Sequence, residues 1–166
     1  MGRLTIKKVV YQGDNYYYES PDFNDGLNII VGYNGNGKTT LMNLIYYGLG
    51  GSVLEFNKSS DKESKHKEIF YDDNNYVKLY VEINDKLYIL TRYFAENYIF
   101  VSDISSNETE TFRVNRYEGC EIFSDWILNK LGISVFDIYQ GIKQWKINFM
   151  DLMRLIYYDQ KTSVDR

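Results

Sequence analysis

Hydrophobic and polar residues alternate at the start of the chain, which predicts a β-strand over residues 4–11. Residues 12–15 contain a Gly-Asp turn signal, and the aromatic residues 16–18 follow it directly. Two extended segments on either side of a short turn are typical of a β-hairpin. We therefore predict that the chain opens with a hairpin.

A nearly continuous apolar run follows at residues 27–31. Such a run is typical of a parallel strand that is buried on both faces. From Thr39 onward the spacing of apolar residues changes to three or four, which predicts a helix that ends at Gly50 and Gly51. The apolar positions of this helix are Leu41, Leu44, Ile45 and Leu49. The order of elements is therefore strand, loop and helix.

The middle of the chain returns to alternation and predicts an antiparallel sheet with one wetter face. Val77, Leu79, Val81 and Ile83 alternate with more polar neighbours, and Asn84-Asp85 supplies a turn. We expect the tyrosines of this sheet to form cross-strand contacts rather than base-stacking platforms. The predicted strands cover residues 76–83, 86–93, 98–102 and 111–114.

Helical spacing returns after Glu118 and predicts a helix that ends at Gly132. A second short helix is predicted near Asn148, because Asn148 and Asp151 resemble a capping pair. It runs into the apolar residues 155–158, which Asp159 and Gln160 follow. The face of the first helix consists of Ile122, Trp126, Ile127 and Leu131.

The loop between the apolar run and the first helix contains a specific motif. Gly32, Gly37, Lys38 and Thr39 match the phosphate-loop pattern G-x-x-x-x-G-K-[ST], and the flanking strand and helix are the context that this motif requires. We therefore predict that the loop binds the phosphates of a nucleotide.

Phosphate binding explains why the loop contains glycine, lysine and threonine at these positions. Gly32, Gly35 and Gly37 are expected to adopt left-handed torsions, so that the backbone N–H groups of the loop, including those of Asn34 and Asn36, turn inward around the phosphates. Among the side chains, we expect Lys38 to reach the β- and γ-phosphates, Thr39 to bind Mg²⁺ and Thr40 to meet the α-phosphate. ATP and Mg²⁺ are the predicted cofactors.

Composition narrows the class of protein. The chain has 166 residues, of which 44% are hydrophobic, and this fits one domain with its own core. No apolar run approaches the roughly 18 residues of a membrane span. The first residues lack the features of a signal peptide. We expect a cytoplasmic protein without a membrane partner.

Metal clusters and strong nucleic-acid binding are not expected. Cys120 is the only cysteine and His66 the only histidine, so neither a disulfide within the chain nor a zinc cluster is credible. His66 lies in the charged run at residues 58–68, which is typical of an exposed loop. The net charge of −4 argues against tight nucleic-acid binding by this chain alone.

The sequence resembles the N-terminal half of an ATP-binding-cassette (ABC) head of the SMC/Rad50 type. The resemblance implies an α/β fold, a P-loop NTPase of ABC-ATPase head type, in which residues 1–166 form an N-terminal lobe with an antiparallel β arm. The segments that carry it are an initial strand pair, DGLNIIVGYNGNGKTTLMNLI, KLYILTRYF, NKLGI and LIYYDQ.

The resemblance assigns roles to particular residues. It implies that Lys38, Thr39 and Thr40 hold phosphates and Mg²⁺. It also implies that Gln160 is the Q-loop glutamine, which contacts Mg²⁺ and the attacking water. Two positions differ from the family pattern: Val9-Val10-Tyr11 stands where an arginine often contacts phosphate, and Asn36 replaces a common serine.

The second half of such a head is not found in this sequence. In the family a coiled coil follows the Q-loop, and the next lobe brings the signature motif, Walker B and an H-loop histidine. Hydrolysis needs a positioned base and a metal held from both sides. The resemblance therefore implies a C-terminal lobe of the same ATPase and a homodimer of heads as partners, with DNA bound through the full-length protein. Whether this chain alone is an enzyme stays open.

Two alternatives also remain open. A self-contained small P-loop kinase or NTPase would need a Walker B aspartate on a parallel strand and alternating β–α units. A non-catalytic interaction module would bind nucleotide without turnover. The sequence does not distinguish DNA repair, chromosome maintenance and phage defence as the process that the parent ATPase serves.

Overall fold

The computed structural model describes residues 2–56 and 74–156. Its centre is a six-stranded sheet in the order β2-β1-β3-β4-β5-β6, in which every neighbouring pair is antiparallel. The strands are β1 (Leu4–Gln12), β2 (Tyr17–Glu19), β3 (Tyr76–Ile83), β4 (Lys86–Tyr93), β5 (Tyr98–Asp103) and β6 (Thr109–Arg113).

Helices cover one face of this sheet. Helix α1 packs on β1, β3 and β4, while α3 packs against α2. A separate hairpin precedes α3 and consists of β7 (Asp137–Gln140) and β8 (Lys143–Lys146). The helices are α1 (Lys38–Gly48), α2 (Phe123–Lys130) and α3 (Phe149–Ile156), and a short 3₁₀ turn covers Leu54–Phe56.

The alternation in β3 produces the core as predicted. Its four inward side chains, Val77, Leu79, Val81 and Ile83, are at most 2% exposed, while the residues between them are only partly buried. Successive side chains of a strand point to opposite faces, so one face of β3 lies under the helices and the other faces outward. The mixed α/β fold with an antiparallel sheet is thus confirmed.

The turn between β3 and β4 is the two-residue turn that Asn84-Asp85 predicted. Both residues have positive φ, 49° and 64°, as a hairpin turn that matches the strand twist requires. The Asn84 side chain also accepts a hydrogen bond from Arg3 N (2.9 Å) and donates one to Lys130 O (2.6 Å). The turn therefore holds the beginning of β1 next to the end of α2.

The predicted C-terminal elements are present with shifted limits. Helix α2 begins at Phe123 rather than near Glu118, and Gly132 follows its end with φ of 72°. The capping pair is confirmed, because Asn148 Oδ1 accepts from Met150 N (2.6 Å) and Asp151 Oδ2 accepts from Asn148 N (3.0 Å). The β7–β8 hairpin was not predicted.

The predicted buried strand at residues 27–31 is wrong. This segment forms no strand, and Leu27, Ile29 and Val31 are 87%, 74% and 87% exposed. An apolar strand is buried on both faces only when strands lie beside it and helices lie above and below it. In the described part of the chain no strand pairs with residues 27–31.

The outward face of the sheet carries aromatic side chains in contact with each other. The ring centroids of Tyr76 and Tyr93 lie 5.1 Å apart, and those of Tyr93 and Phe100 lie 6.0 Å apart. These are cross-strand contacts, as expected from the sequence. His66 and residues 157–160 lie outside the described residues.

Helix α1 approaches β3 most closely at its last residue. A Cβ added at Gly48 would lie 2.6 Å from Leu79 Cδ1 and 2.7 Å from Leu79 Cγ. Leu79 is itself buried and cannot move aside without disturbing the core. The absence of a side chain at Gly48 therefore sets how closely the helix can lie on the sheet.

We expect Gly48→Ala to lower the free energy of unfolding by up to about 2 kcal/mol, because overpacking costs about 1–3 kcal/mol and the better helix propensity of alanine offsets about 1 kcal/mol. Urea titration would measure the effect. In a Leu79→Ala background the same change should no longer destabilise the protein. An equal cost in both backgrounds would contradict the proposed contact.

Candidate functional site

The glycine-rich loop occupies residues 32–37 and leads directly into α1. Gly35 and Gly37 have φ of 89° and 77°, so both adopt the left-handed torsions that were predicted. Gly32 does not have a positive φ, and that part of the prediction is wrong. The loop closes through a hydrogen bond from Asn36 N to Tyr33 O (3.2 Å). Two left-handed residues thus reverse the chain just before the helix.

Gly37 is the N-cap of α1 and makes no side-chain cap. Its carbonyl accepts the first helical hydrogen bond, from Leu41 N at 2.9 Å. The first N–H groups of a helix have no partners within the helix, and the helix dipole is positive at this end. The loop therefore presents its backbone donors next to the positive end of α1, which is an arrangement suited to an anion.

Lys38 is the first residue of α1, and its side chain folds back over the loop. Its Nζ donates to Gly32 O at 2.7 Å and to Tyr33 O at 2.9 Å. The ammonium is therefore held at the loop rather than extended into solvent. These two carbonyls fix its position beside the backbone of residues 32–37.

The other predicted loop residues lie directly before and after Lys38 in the chain. Asn34, Asn36 and Thr39 are exposed, and Thr40 is partly buried. The structure thus brings all seven predicted loop residues, 34–40, into one exposed loop and the first turn of α1. Gln160 lies outside the described residues, so its position relative to the loop stays a prediction.

A cavity of about 560 Å³ opens beside the loop. Asn36, Gly37, Lys38 and Thr40 form one of its sides, and Lys38 is the only charged group among the lining residues that the structure describes. No carboxylate from the described residues lines it, so an anion would meet no repulsion there. The remaining lining residues are Tyr11, Tyr16, Tyr18, Ile30, Val31, Leu41 and Leu44.

The three tyrosines were not predicted as part of the site. Tyr18 lies in β2 and Tyr16 directly precedes this strand, and they are 40% and 59% exposed. The hairpin places both tyrosines at the cavity beside the phosphate loop. No local sequence pattern predicts this proximity. The three consecutive tyrosines at residues 16–18 could have indicated a binding role, because aromatic side chains on an exposed short strand are available to contact a ligand.

The described residues contain no group of three or more His, Cys, Asp or Glu side chains that could hold a metal ion. A Mg²⁺ ion bound to nucleotide needs few protein ligands, because phosphate oxygens and waters complete its octahedral coordination. The Thr39 hydroxyl, exposed in the first turn of α1, fits this requirement. Thr39 is thus the candidate protein ligand among these residues.

The loop, its left-handed glycines and the lysine at the start of α1 define a nucleotide-binding protein of the P-loop class. A family model described as "AAA domain" matches residues 16–162, and the chain belongs to this family. No curated protein and no solved structure matches the chain. Within the described ranges, no helix is both long and apolar enough to cross a membrane.

Proposed function

We propose that this chain is the ATP-binding lobe of an SMC/Rad50-like ATPase. It binds Mg-ATP through its phosphate loop and hydrolyses it only together with a C-terminal lobe, in a dimer of heads that sandwiches ATP. The observation that carries the proposal is the position of Lys38, whose ammonium lies against the loop carbonyls beside a cavity that no carboxylate of residues 2–56 and 74–156 lines. Such a protein would serve DNA repair, chromosome maintenance or phage defence.

The triphosphate would be bound mainly by charge and by backbone donors. On binding, Lys38 would exchange its two carbonyl partners for oxygens of the β- and γ-phosphates, which are charged and so stronger acceptors. Thr39 would take one position on Mg²⁺, and Thr40 would face the α-phosphate. When bound, Mg²⁺ would supply positive charge at the β- and γ-phosphates while the γ-phosphoryl group is transferred to water and ADP leaves.

We expect Lys38→Ala to weaken the binding of Mg-ATP by about 100-fold or more, because each lost hydrogen bond to a charged group costs about 1.5–3 kcal/mol. Isothermal titration of both proteins would measure this change. Lys143→Ala is the matched control, since Lys143 lies in the exposed strand β8. Equal affinities of Lys38→Ala and the wild type would overturn the assignment of the loop.

The nucleoside would occupy the tyrosine-lined end of the cavity. An aromatic side chain offers a flat apolar surface on which a base can stack. Tyr18 in β2 and Tyr16 just before it both line the cavity, whereas Tyr17 between them does not line it and donates a hydrogen bond to Glu19. The two outer tyrosines are therefore the candidates for contact with the base.

We expect the double change Tyr16→Leu with Tyr18→Leu to weaken ATP binding by about tenfold, since stacking on an aromatic side chain contributes about 1–3 kcal/mol per base. Binding of inorganic triphosphate should not change, because it has no base. Tyr17→Leu serves as the control in the same titrations. Loss of triphosphate binding in the double variant would place the tyrosines at the phosphates instead.

The exposed segment at residues 27–31 supports a second lobe as partner. Leu27, Ile29 and Val31 are exposed apolar residues within the five positions that precede the phosphate loop. Exposed apolar surface of this kind marks an interaction site in soluble proteins. We infer that strands of a C-terminal lobe would lie beside this segment and convert it into the central parallel strand that its composition favours.

We expect the 166-residue chain alone to self-associate and to show no ATPase activity. Analytical ultracentrifugation should show concentration-dependent association that the double change Leu27→Lys with Ile29→Lys reduces. Ile142→Lys is the control, because Ile142 is exposed at the tip of the β7–β8 hairpin. A monodisperse monomer that hydrolyses ATP would favour a self-contained P-loop enzyme.

The remaining parts of the proposal concern groups outside the described residues. Gln160 would act on Mg²⁺ and on the attacking water, and so would affect turnover more than ATP binding. DNA would bind through the full-length protein. The antiparallel pairing of all six strands disfavours the small-kinase alternative, which needs alternating β–α units with a parallel sheet.

A further inference from the structure

A buried arginine lies under the end of α1 that is remote from the phosphate loop. Arg92, on β4, is 7% exposed, and burial lowers the pKa of its guanidinium. No carboxylate among the described residues pairs with it. Its Nε is buried without a hydrogen-bond partner. A buried charge is unfavourable unless specific contacts hold it, so the contacts that Arg92 does make require an explanation.

Those contacts go to the C-terminal end of α1. Arg92 Nη1 donates to Tyr47 O at 2.7 Å and to Gly51 O at 2.8 Å. The last carbonyls of a helix have no partners within the helix and carry the negative end of its dipole. The guanidinium therefore provides a donor to Gly51 O and a second donor to Tyr47 O, which also accepts from Gly50 N at 3.0 Å. It also supplies the positive charge that this end of a helix favours.

The Tyr47 ring completes the attachment. It lies 3.8 Å from the Arg92 guanidinium carbon, close enough for a cation–π contact. Its other neighbours are Phe94, stacked at 4.7 Å, and Phe56, edge-on at 5.5 Å. The Tyr47 hydroxyl also donates to Tyr93 O at 3.1 Å. The Tyr47 side chain thus attaches α1 to β4 through its contacts with Arg92 and Tyr93, and to Phe94, the residue after β4, through ring stacking.

The two ends of α1 differ in how they are held. At the C-terminal end Gly48 lies against Leu79, and Arg92 binds the backbone. At the N-terminal end the loop residues 32–37 are all exposed. A helix of 11 residues is about 16 Å long, so a tilt of about 5° at its base would move its first turn by about 1.4 Å. Displacements of about 1 Å are large enough to weaken recognition at a site.

We propose that Arg92 is a positioning residue for the phosphate loop: by holding the C-terminal end of α1 on β4, it fixes where the helix presents Lys38 and the loop N–H groups. The inference rests on the proposed binding of ATP. It adds a residue that lies at the opposite end of the helix and touches no nucleotide.

The test compares Arg92→Lys, Arg92→Ala and the wild type by isothermal titration with Mg-ATP, at a temperature well below the melting temperature of each protein. A positioning role predicts about tenfold weaker binding at unchanged stoichiometry, since every folded molecule binds but does so with a displaced loop. Millimolar guanidinium chloride should restore affinity to Arg92→Ala, whereas sodium chloride of equal ionic strength should not. Arg113→Lys is the control, because Arg113 lies over the Tyr98 and Tyr117 rings at the far edge of the sheet.

The outcomes separate this inference from the proposed function. If both Arg92 variants bind ATP with wild-type affinity but reduced stoichiometry or melting temperature, Arg92 contributes to stability alone and the inference is wrong. Loss of folding in both variants would lead to the same conclusion. If the wild type itself does not bind ATP, the proposed function fails, and the inference fails with it. Weaker binding that guanidinium restores in Arg92→Ala would support the positioning role.

Discussion

The packing of α1 on the antiparallel sheet is the interaction on which the rest of the structure depends. A phosphate loop works only if its backbone donors and its lysine are held in one arrangement, and the loop itself makes few contacts that could hold them. Order at the loop must therefore come from the helix that follows it. Gly48 permits the close approach to Leu79, and Arg92 binds the carbonyls at the end of the same helix.

The sheet is covered by helices on one side, and this has a consequence for residues 27–31. The segment leads into the phosphate loop, and no strand of the described sheet pairs with it. Its apolar side chains are consequently exposed. A strand at the edge of a two-layer domain needs only one apolar face, whereas a strand covered by helices on both sides needs two. The composition of residues 27–31 fits the second arrangement, and this is why we propose a further lobe.

Features that depend on local spacing could be predicted from the sequence. The alternation in β3, the Asn84-Asp85 turn and the helix that begins at the phosphate loop all follow from contacts within a few residues. Residues 27–31 were mispredicted because burial of a strand depends on neighbours that the sequence of the segment does not specify. The tyrosines beside the loop and the role of Arg92 likewise depend on which residues the folded sheet brings together.

Arg92 also shows why a charge is retained in an otherwise apolar layer. A leucine at this position would avoid the cost of burying a guanidinium, and apolar replacements of buried charges are often neutral or stabilising. A leucine could not, however, donate to Tyr47 O and Gly51 O. Tyr47 O would keep its hydrogen bond from Gly50 N (3.0 Å), whereas Gly51 O would lose the donor that Arg92 provides. Apolar contacts would still hold the helix on the sheet, but they are not directional and would allow small rotations and tilts. The two hydrogen bonds that Arg92 Nη1 donates would restrict these movements. Lys38 and the N–H donors at the other end of the helix require such a fixed orientation of α1.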